Sequence, residues 1–221
     1  GRVEGEIERQ KRRFCLFFLI SKRRFFKPTN GERKTKFETG GYYHAYNRGC
    51  NKGTIFRDKR NYNYLIGRLA EGIRKCKVSV IAYCLMPNHY HLLLRQDAEI
   101  GIDVLLQSVF TSYVKAFNKA HRRTGTLFEG PFQAKHVDSE DYLFHLCRYI
   151  HCNPVDSGLV MSPCDWEFSN YQEWIEKRHG ALVDLSFVRS HFASPTDYEK
   201  FVMNYEPTPK IDVALKRFLF D

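Results

Sequence analysis

Residues 86–94 read Met86-Pro87-Asn88-His89-Tyr90-His91-Leu92-Leu93-Leu94. Residues 78–85 before them are rich in β-formers, and Met86-Pro87-Asn88 turns the chain back, so the two segments predict a β-hairpin. Side chains alternate along a strand, which puts His89, His91, Leu93 and Arg95 on one face and Tyr90, Leu92 and Leu94 on the other. Imidazoles at next-but-one positions of a rigid strand can both reach one divalent ion, since a neutral ring nitrogen is a common metal ligand. The same spacing suits two strand histidines satisfied by backbone or solvent, and two ligands alone do not hold a catalytic metal.

A second landmark is Arg148-Tyr149-Ile150-His151-Cys152-Asn153-Pro154, at the end of a predicted helix that begins near Ser139. Ser139 is the expected N-cap, Glu140 and Asp141 favour the macrodipole, and Pro154 is expected to stop the helix. Leu143, Leu146, Cys147 and Ile150 form its apolar stripe, while His145, Tyr149 and Asn153 fall at i, i+4 and i+8 on a neighbouring polar face. Against the histidine strand, Asn153 would be an oxygen ligand and Tyr149 a nucleophile. The alternative for Tyr149 is a ring that caps the core with its hydroxyl in water.

With these segments in view, the sequence resembles the HUH single-strand DNA endonucleases and transposases. More narrowly, three stretches resemble the single-tyrosine REP-associated transposases, relatives of the insertion-sequence single-strand transposases. They are Gly41-Tyr42-Tyr43-His44-Ala45-Tyr46-Asn47-Arg48-Gly49, then 86–94, then 148–155 followed by Gly158-Leu159-Val160. The resemblance runs from about residue 41 to about 171. It implies metal-binding histidines at His89 and His91, an amide metal ligand at Asn153, a nucleophile at Tyr149, and Mg or Mn as the divalent metal. It also implies recognition of a short imperfect palindrome and cutting in single-stranded sequence at its foot, through a 5′-phosphotyrosine intermediate that can rejoin strands.

The remaining segments complete the expected fold. Residues 42–47 read as a first strand, on which His44 is either a substrate-side residue or a satisfied core histidine. Asp58 is placed to cap a helix running to about Cys76, and Ile102, Leu105, Leu106, Val109, Tyr113 and Phe117 mark a second amphipathic helix. Residues 132–137 read as a fourth strand. Strand, helix, strand, strand, helix, strand is the α+β, ferredoxin-like split βαβ order, with an antiparallel sheet and the catalytic helix after the fourth strand. Short helices near 185–191 and 197–205 and a tail at 211–220 predict a helical C-terminal extension. The expected division is a basic N-terminal extension over 1–40, a catalytic domain over 41–172 and the extension over 173–221.

The 35 Lys and Arg against 25 Asp and Glu give a net charge of +10, which suits a polyanion or an anionic surface. Seven scattered cysteines form neither a disulfide framework nor a C-x-x-C pair, which fits reduced thiols and a cytoplasmic location. The apolar run 14–20 is too short to span a bilayer and Lys22-Arg23-Arg24 follows it, so no membrane partner is expected. A tyrosine on a helix cannot easily reach a phosphate in stacked duplex, so single-stranded or hairpin DNA, such as a REP-like palindrome, is the expected partner. His145 is a candidate general base. Arg48, Lys52, Arg95, Lys135 and Arg148 are candidate phosphate contacts, each equally explicable as a surface charge. A monomer or a homodimer is expected. Two other readings fit the same residues: a hairpin-binding protein without catalysis, and an HUH-type nickase of replication or conjugation.

Overall fold

The computed structural model describes residues 35–99 and 101–204, save the side chain of Asp141. The basic N-terminal segment and the tail after 204, both read from sequence above, lie outside the described residues. The element order is β1 (Tyr42–Arg48), α1 (Lys59–Cys76), β2 (Val78–Met86), β3 (His89–Gln96), α2 (Ile102–Ala120), β4 (Gln133–Val137) and α3 (Glu140–Asp156). Three short helices follow: α4 (Tyr171–Trp174), α5 (Leu185–His191) and α6 (Pro195–Met203). The four strands form one sheet in the order β2-β3-β1-β4, every neighbouring pair antiparallel. This is the expected split βαβ arrangement.

Local chemistry sets the helix ends. The Asp58 carboxylate accepts from the Arg60 and Asn61 amides and opens α1, which closes on Lys77 in the left-handed region at φ 48°. Gly101 precedes α2 without a capping side chain of its own, and the Gln96 Oε1 at the end of β3 accepts the Ile102 amide at 3.1 Å instead. Helix α3 departs from expectation at both ends. Ser139 stands at the N-cap position but its hydroxyl makes no capping bond. Pro154 lies inside the helix, which continues to Asp156. Proline removes only its own amide in this last turn, and the chain stops when Gly158 turns into the left-handed region at φ +69° and donates to the Val155 carbonyl.

The pleat sorts the core into two clusters. Tyr43, Ala45, Tyr90, Leu92 and Leu94 pack under α1 and α2 with Leu65, Leu69, Leu105, Val109 and Phe117. Leu93, Ile81, Ala82, Cys84 and Met86 pack under α3 with Leu143, Leu146, Cys147 and Ile150, joined by Trp174 and Tyr198 from the C-terminal helices. The alternation read from 89–95 therefore holds. A register shift between Val80 and Ala82 makes Ile81 the extra residue of a β-bulge, so Ile81 and Ala82 both face α3.

The bulge also frees the Ile81 carbonyl, which accepts from Asn170 Nδ2 at 2.9 Å and from the Trp174 indole at 3.0 Å. The same Asn170 accepts the Tyr83 amide at 2.7 Å, and its Oδ1 lies 2.9 Å from His151 Nε2 on α3. Residues 166–170 thus cover the β2 edge, aided by the Leu85 amide on the Phe168 carbonyl at 2.9 Å. His151 Nδ1 in turn sits 2.6 Å from the Tyr198 hydroxyl of α6. A neutral imidazole that donates from Nε2 and accepts at Nδ1 satisfies both contacts.

Burial holds the His151 pKa down at about 4, with the Asn170 contact opposing it. The folded state therefore binds this proton less readily than the unfolded chain does. Stability from His151 is full above its ordinary value near 6.5 and is lost as pH falls toward 4. We expect urea unfolding at pH 5 to show about 2 kcal/mol less stability from this group than at pH 7. His151→Gln should flatten that slope; a variant that keeps the wild-type pH dependence would show that His151 does not carry it.

Candidate active site

Three elements bring the candidate residues together. Strand β3 carries His89 and His91 on the α3 side of the sheet, and β1 places His44 and Tyr46 beside them, with Tyr46 opposite His91 and Arg48 opposite His89 in the register. Helix α3 crosses this face and contributes Tyr149 and, one turn later, Asn153. The sequence-predicted cluster of His89, His91, Tyr149 and Asn153 is therefore assembled in space.

Its contacts are close. His89 Nε2 lies 3.0 Å from Asn153 Oδ1, and His89 Nδ1 lies 2.7 Å from Asn88 Oδ1 in the hairpin turn. The His89 and His91 rings meet edge to face at 5.1 Å, and His91 meets Tyr149 edge to face at 5.5 Å. Asn153 stands one turn from Tyr149 on the same helix and lowers the cost of ionising its phenol. Behind His91, His44 is fully buried and its Nε2 sits 2.9 Å from His91 Nδ1.

Electrostatics keep these imidazoles neutral. Desolvation lowers the His44 pKa to about 3, helped by the Lys135 charge. Desolvation takes His91 well below its ordinary value, with His44 and His89 acting in the same sense. His89 is lowered by burial and by Arg48, against the Asn153 contact. Burial pushes the Tyr149 phenol up to about 12, opposed by Asn153 and reinforced by Asp156. Forming its tyrosinate at pH 7 therefore costs about 7 kcal/mol.

Neutral His89 has one N–H but faces two carboxamide oxygens. When Nδ1 donates to Asn88, the Nε2 lone pair and Asn153 Oδ1 are two acceptors converging at 3.0 Å. Such a pair is a seat for a cation, and two imidazole nitrogens with one amide oxygen suit a first-row divalent metal or Mg. Among the described residues no group of three or more His, Cys, Asp or Glu is disposed to hold a metal, so this donor set depends on Asn153.

The other sequence-predicted residues fall in three places. Arg48 lies beside His89, and its guanidinium is paired with Glu129. Lys52 is exposed in the single 3-10 turn Cys50–Lys52 after β1, and Lys135 on β4 sits over the Tyr46 ring at 5.3 Å. Arg95 is at the far end of β3, tied to Asp97 at 2.6 Å and Asp184 at 3.0 Å, about 20 Å along the strand from His89. His145 and Arg148 turn toward α6: the His145 ring packs on Phe201 at 5.4 Å and Arg148 Nε donates to the Val202 carbonyl at 3.1 Å. Sequence reasoning assigned nothing to Asn88 or to the bond from His44 to His91. The first sits in the turn before His89 and the second on the neighbouring strand, a pairing that only the register reveals.

Comparison with known proteins gives a consistent result. The profile of the family described as "Transposase IS200 like" matches residues 38–153. A curated protein of Haemophilus influenzae described as a REP-associated tyrosine transposase is 30% identical over 102 residues, or 41% of this chain. The match covers 57% of that relative, so this chain spans little more than half its length. A solved REP-associated tyrosine transposase bound to a REP hairpin superposes with a TM-score of 0.53 at 17% identity, over 69% of this chain and 90% of that one. At that identity the likeness is one of fold. Among the described residues no helix is long and apolar enough to cross a membrane.

A double-mutant cycle on His89→Ala and Asn153→Ala tests the central contact. In the metal-free chain the tautomer that donates from Nε2 bonds Asn153 Oδ1, and we expect a coupling of about 1 kcal/mol in urea unfolding at pH 7, the usual worth of one hydrogen bond between neighbours. Simple additivity of the two losses would show that strand and helix are not joined there.

Proposed function

We infer that this chain, which belongs to the IS200-like transposase family, is a metal-dependent single-strand DNA endonuclease and transposase that cuts at the foot of a hairpin. The observation that carries the reading is the convergence of His89, His91 and Asn153 beside the hydroxyl-bearing Tyr149 on one sheet face. The hairpin bound to the structural neighbour of the same fold supports the choice of DNA substrate.

His89, His91 and Asn153 would hold Mg or Mn, which supplies charge neutralisation at a non-bridging phosphate oxygen. The chain's own residues do the rest. Asn153 opposes part of the burial that raises the Tyr149 phenol. The buried His44 holds the His91 ring at Nδ1, leaving His91 Nε2 as the atom presented to the site when Nδ1 donates. Tyr149 Oη forms a bond to phosphorus, the bond to the 3′-oxygen breaks, and the phenolic proton is made up on the departing 3′-hydroxyl. The product is a 5′-phosphotyrosine with a free 3′-hydroxyl. Its ester bond retains the phosphodiester energy, so a second strand's hydroxyl reverses the step and joins strands.

The direct check is a denaturing gel of the protein with end-labelled hairpin DNA and Mn²⁺. We expect a covalent band in the wild type and none in Tyr149→Phe or with chelator. Hairpin binding without an adduct in any divalent metal would leave a DNA-binding module in place of the enzyme. His44→Phe should weaken Mn²⁺ binding about ten- to a hundredfold by calorimetry while the chain stays folded. Unchanged Mn²⁺ affinity would remove His44 from the site.

A further inference from the structure

We propose that the pocket between the 3-10 turn after β1 and the end of α2 is a second anion site, which takes a phosphodiester of the single-stranded DNA leading away from the hairpin. The proposal rests on the function above and adds a place for the flanking strand. The pocket has a volume of about 430 Å³, with Cys50, Thr54, Arg57 and Arg123 around it and Phe56 and Leu127 among its lining. The guanidinium carbons of Arg57 and Arg123 lie 5.7 and 5.8 Å from the centroid of the same buried ring, Phe117. Stacking on one ring holds both planar groups beside the pocket. Arg123 Nη2 also donates to the Thr126 carbonyl at 3.0 Å.

Neighbouring carboxylates do not neutralise this pair. Asp58 caps α1 and binds Arg60 at 2.9 Å, and Glu129 is paired with Arg48. Among the described residues no acidic side chain lines the pocket. Two guanidiniums without a carboxylate, at an open concave surface, suit a phosphate bound through several N–H donors.

The pocket is also built onto the catalytic end of the sheet. The Gly49 amide donates to the Asn88 carbonyl at 2.8 Å, and those of Ile55 and Phe56 donate to the Pro87 carbonyl at 2.8 and 3.0 Å. On the other wall the Cys50 amide donates to Leu127 at 3.0 Å. The first wall therefore hangs on the hairpin turn that precedes His89, and the second hangs on the first. Cys50 is two residues past Arg48, the register partner of His89, a step of at most about 7 Å between Cα atoms. The two ends of the loop pack closely enough that only glycine fits at 49, where a Cβ would meet the Gly53 carbonyl oxygen at 1.9 Å. Phe56, Phe117 and Leu127 lie on the α1 and α2 side of the sheet, so a strand leaving a phosphate at Tyr149 reaches the pocket by rounding this end.

Cys50 is exposed at the pocket and reports on its occupancy. The experiment follows Cys50 alkylation by iodoacetamide in the full chain, with half-buried Cys76 and Cys164 as internal references. The probes are a hairpin with single-stranded tails, the same hairpin without tails, and inorganic pyrophosphate. We expect the tailed hairpin and pyrophosphate each to slow Cys50 alkylation at least fivefold, and the tailless hairpin to leave it unchanged. Arg57→Gln/Arg123→Gln should abolish that protection, weaken the tailed hairpin about tenfold and lower the slope of log affinity against log salt by about 0.7 per phosphate lost. Affinity for the tailless hairpin should not change.

Wild-type salt dependence in the double variant, or a Tyr149 adduct formed with Cys50 unprotected, overturns the proposal and leaves the proposed function standing. Protection by pyrophosphate with no binding of either hairpin overturns the DNA occupant together with the proposed function. Thermal unfolding of the double variant at the wild-type temperature excludes misfolding as the cause of a loss.

Discussion

The Asn170 carboxamide is the joint on which the candidate site's face depends. It accepts the Tyr83 amide, donates to the Ile81 carbonyl exposed by the β-bulge, and meets His151 on α3. Edge strand, helix and C-terminal segment are thereby held by one fully buried side chain. Helix α3 is otherwise seated by an apolar stripe, and apolar packing alone fixes a helix less sharply in rotation and sliding than directional bonds do. A helix that slipped by one residue would turn by about 100° and carry Tyr149 and Asn153 off the histidines. The buried polar network supplies register where hydrophobicity supplies attraction.

The imidazoles answer a second constraint. His91 lies within ring-contact distance of both His44 and His89, and three protonated rings so clustered would repel strongly. Burial removes the conflict by holding them neutral, which is also the form that offers lone pairs. Positive charge is instead kept at the margin, on Arg48 beside Glu129 and on Lys135 over Tyr46. The site is thus uncharged within and basic around its rim, so the positive charges stand where a ligand first meets the surface.

Local patterns made much of this legible from sequence. The strand alternation at 89–95, the hairpin turn and the helical spacing of Tyr149 and Asn153 are short-range facts, and the structure keeps all three. Family membership and fold follow the resemblance noted in the same stretches. What stayed hidden was non-local. Nothing near His44 announces that it meets His91, nor near Asn170 that it will bridge β2 and α3, because both depend on register and on a bulge that depends on tertiary packing. Pro154 misled in a different way. Proline breaks helix interiors, but in a last turn the loss of one amide is small and the helix runs on to Asp156.

The covering of β2 by residues 166–170 has a temporal meaning. A chain emerging from the ribosome has its histidine hairpin and the Tyr149 helix well before the segment that seats that helix, since Asn170 and Tyr198 come later in sequence. These closing contacts span roughly ninety residues between Ile81 and Asn170, and contacts of that separation form slowly. A nascent or truncated chain ending before them would hold Tyr149 without the framework that aligns it. This order of assembly leaves Tyr149 and the histidines unaligned until the last contacts close.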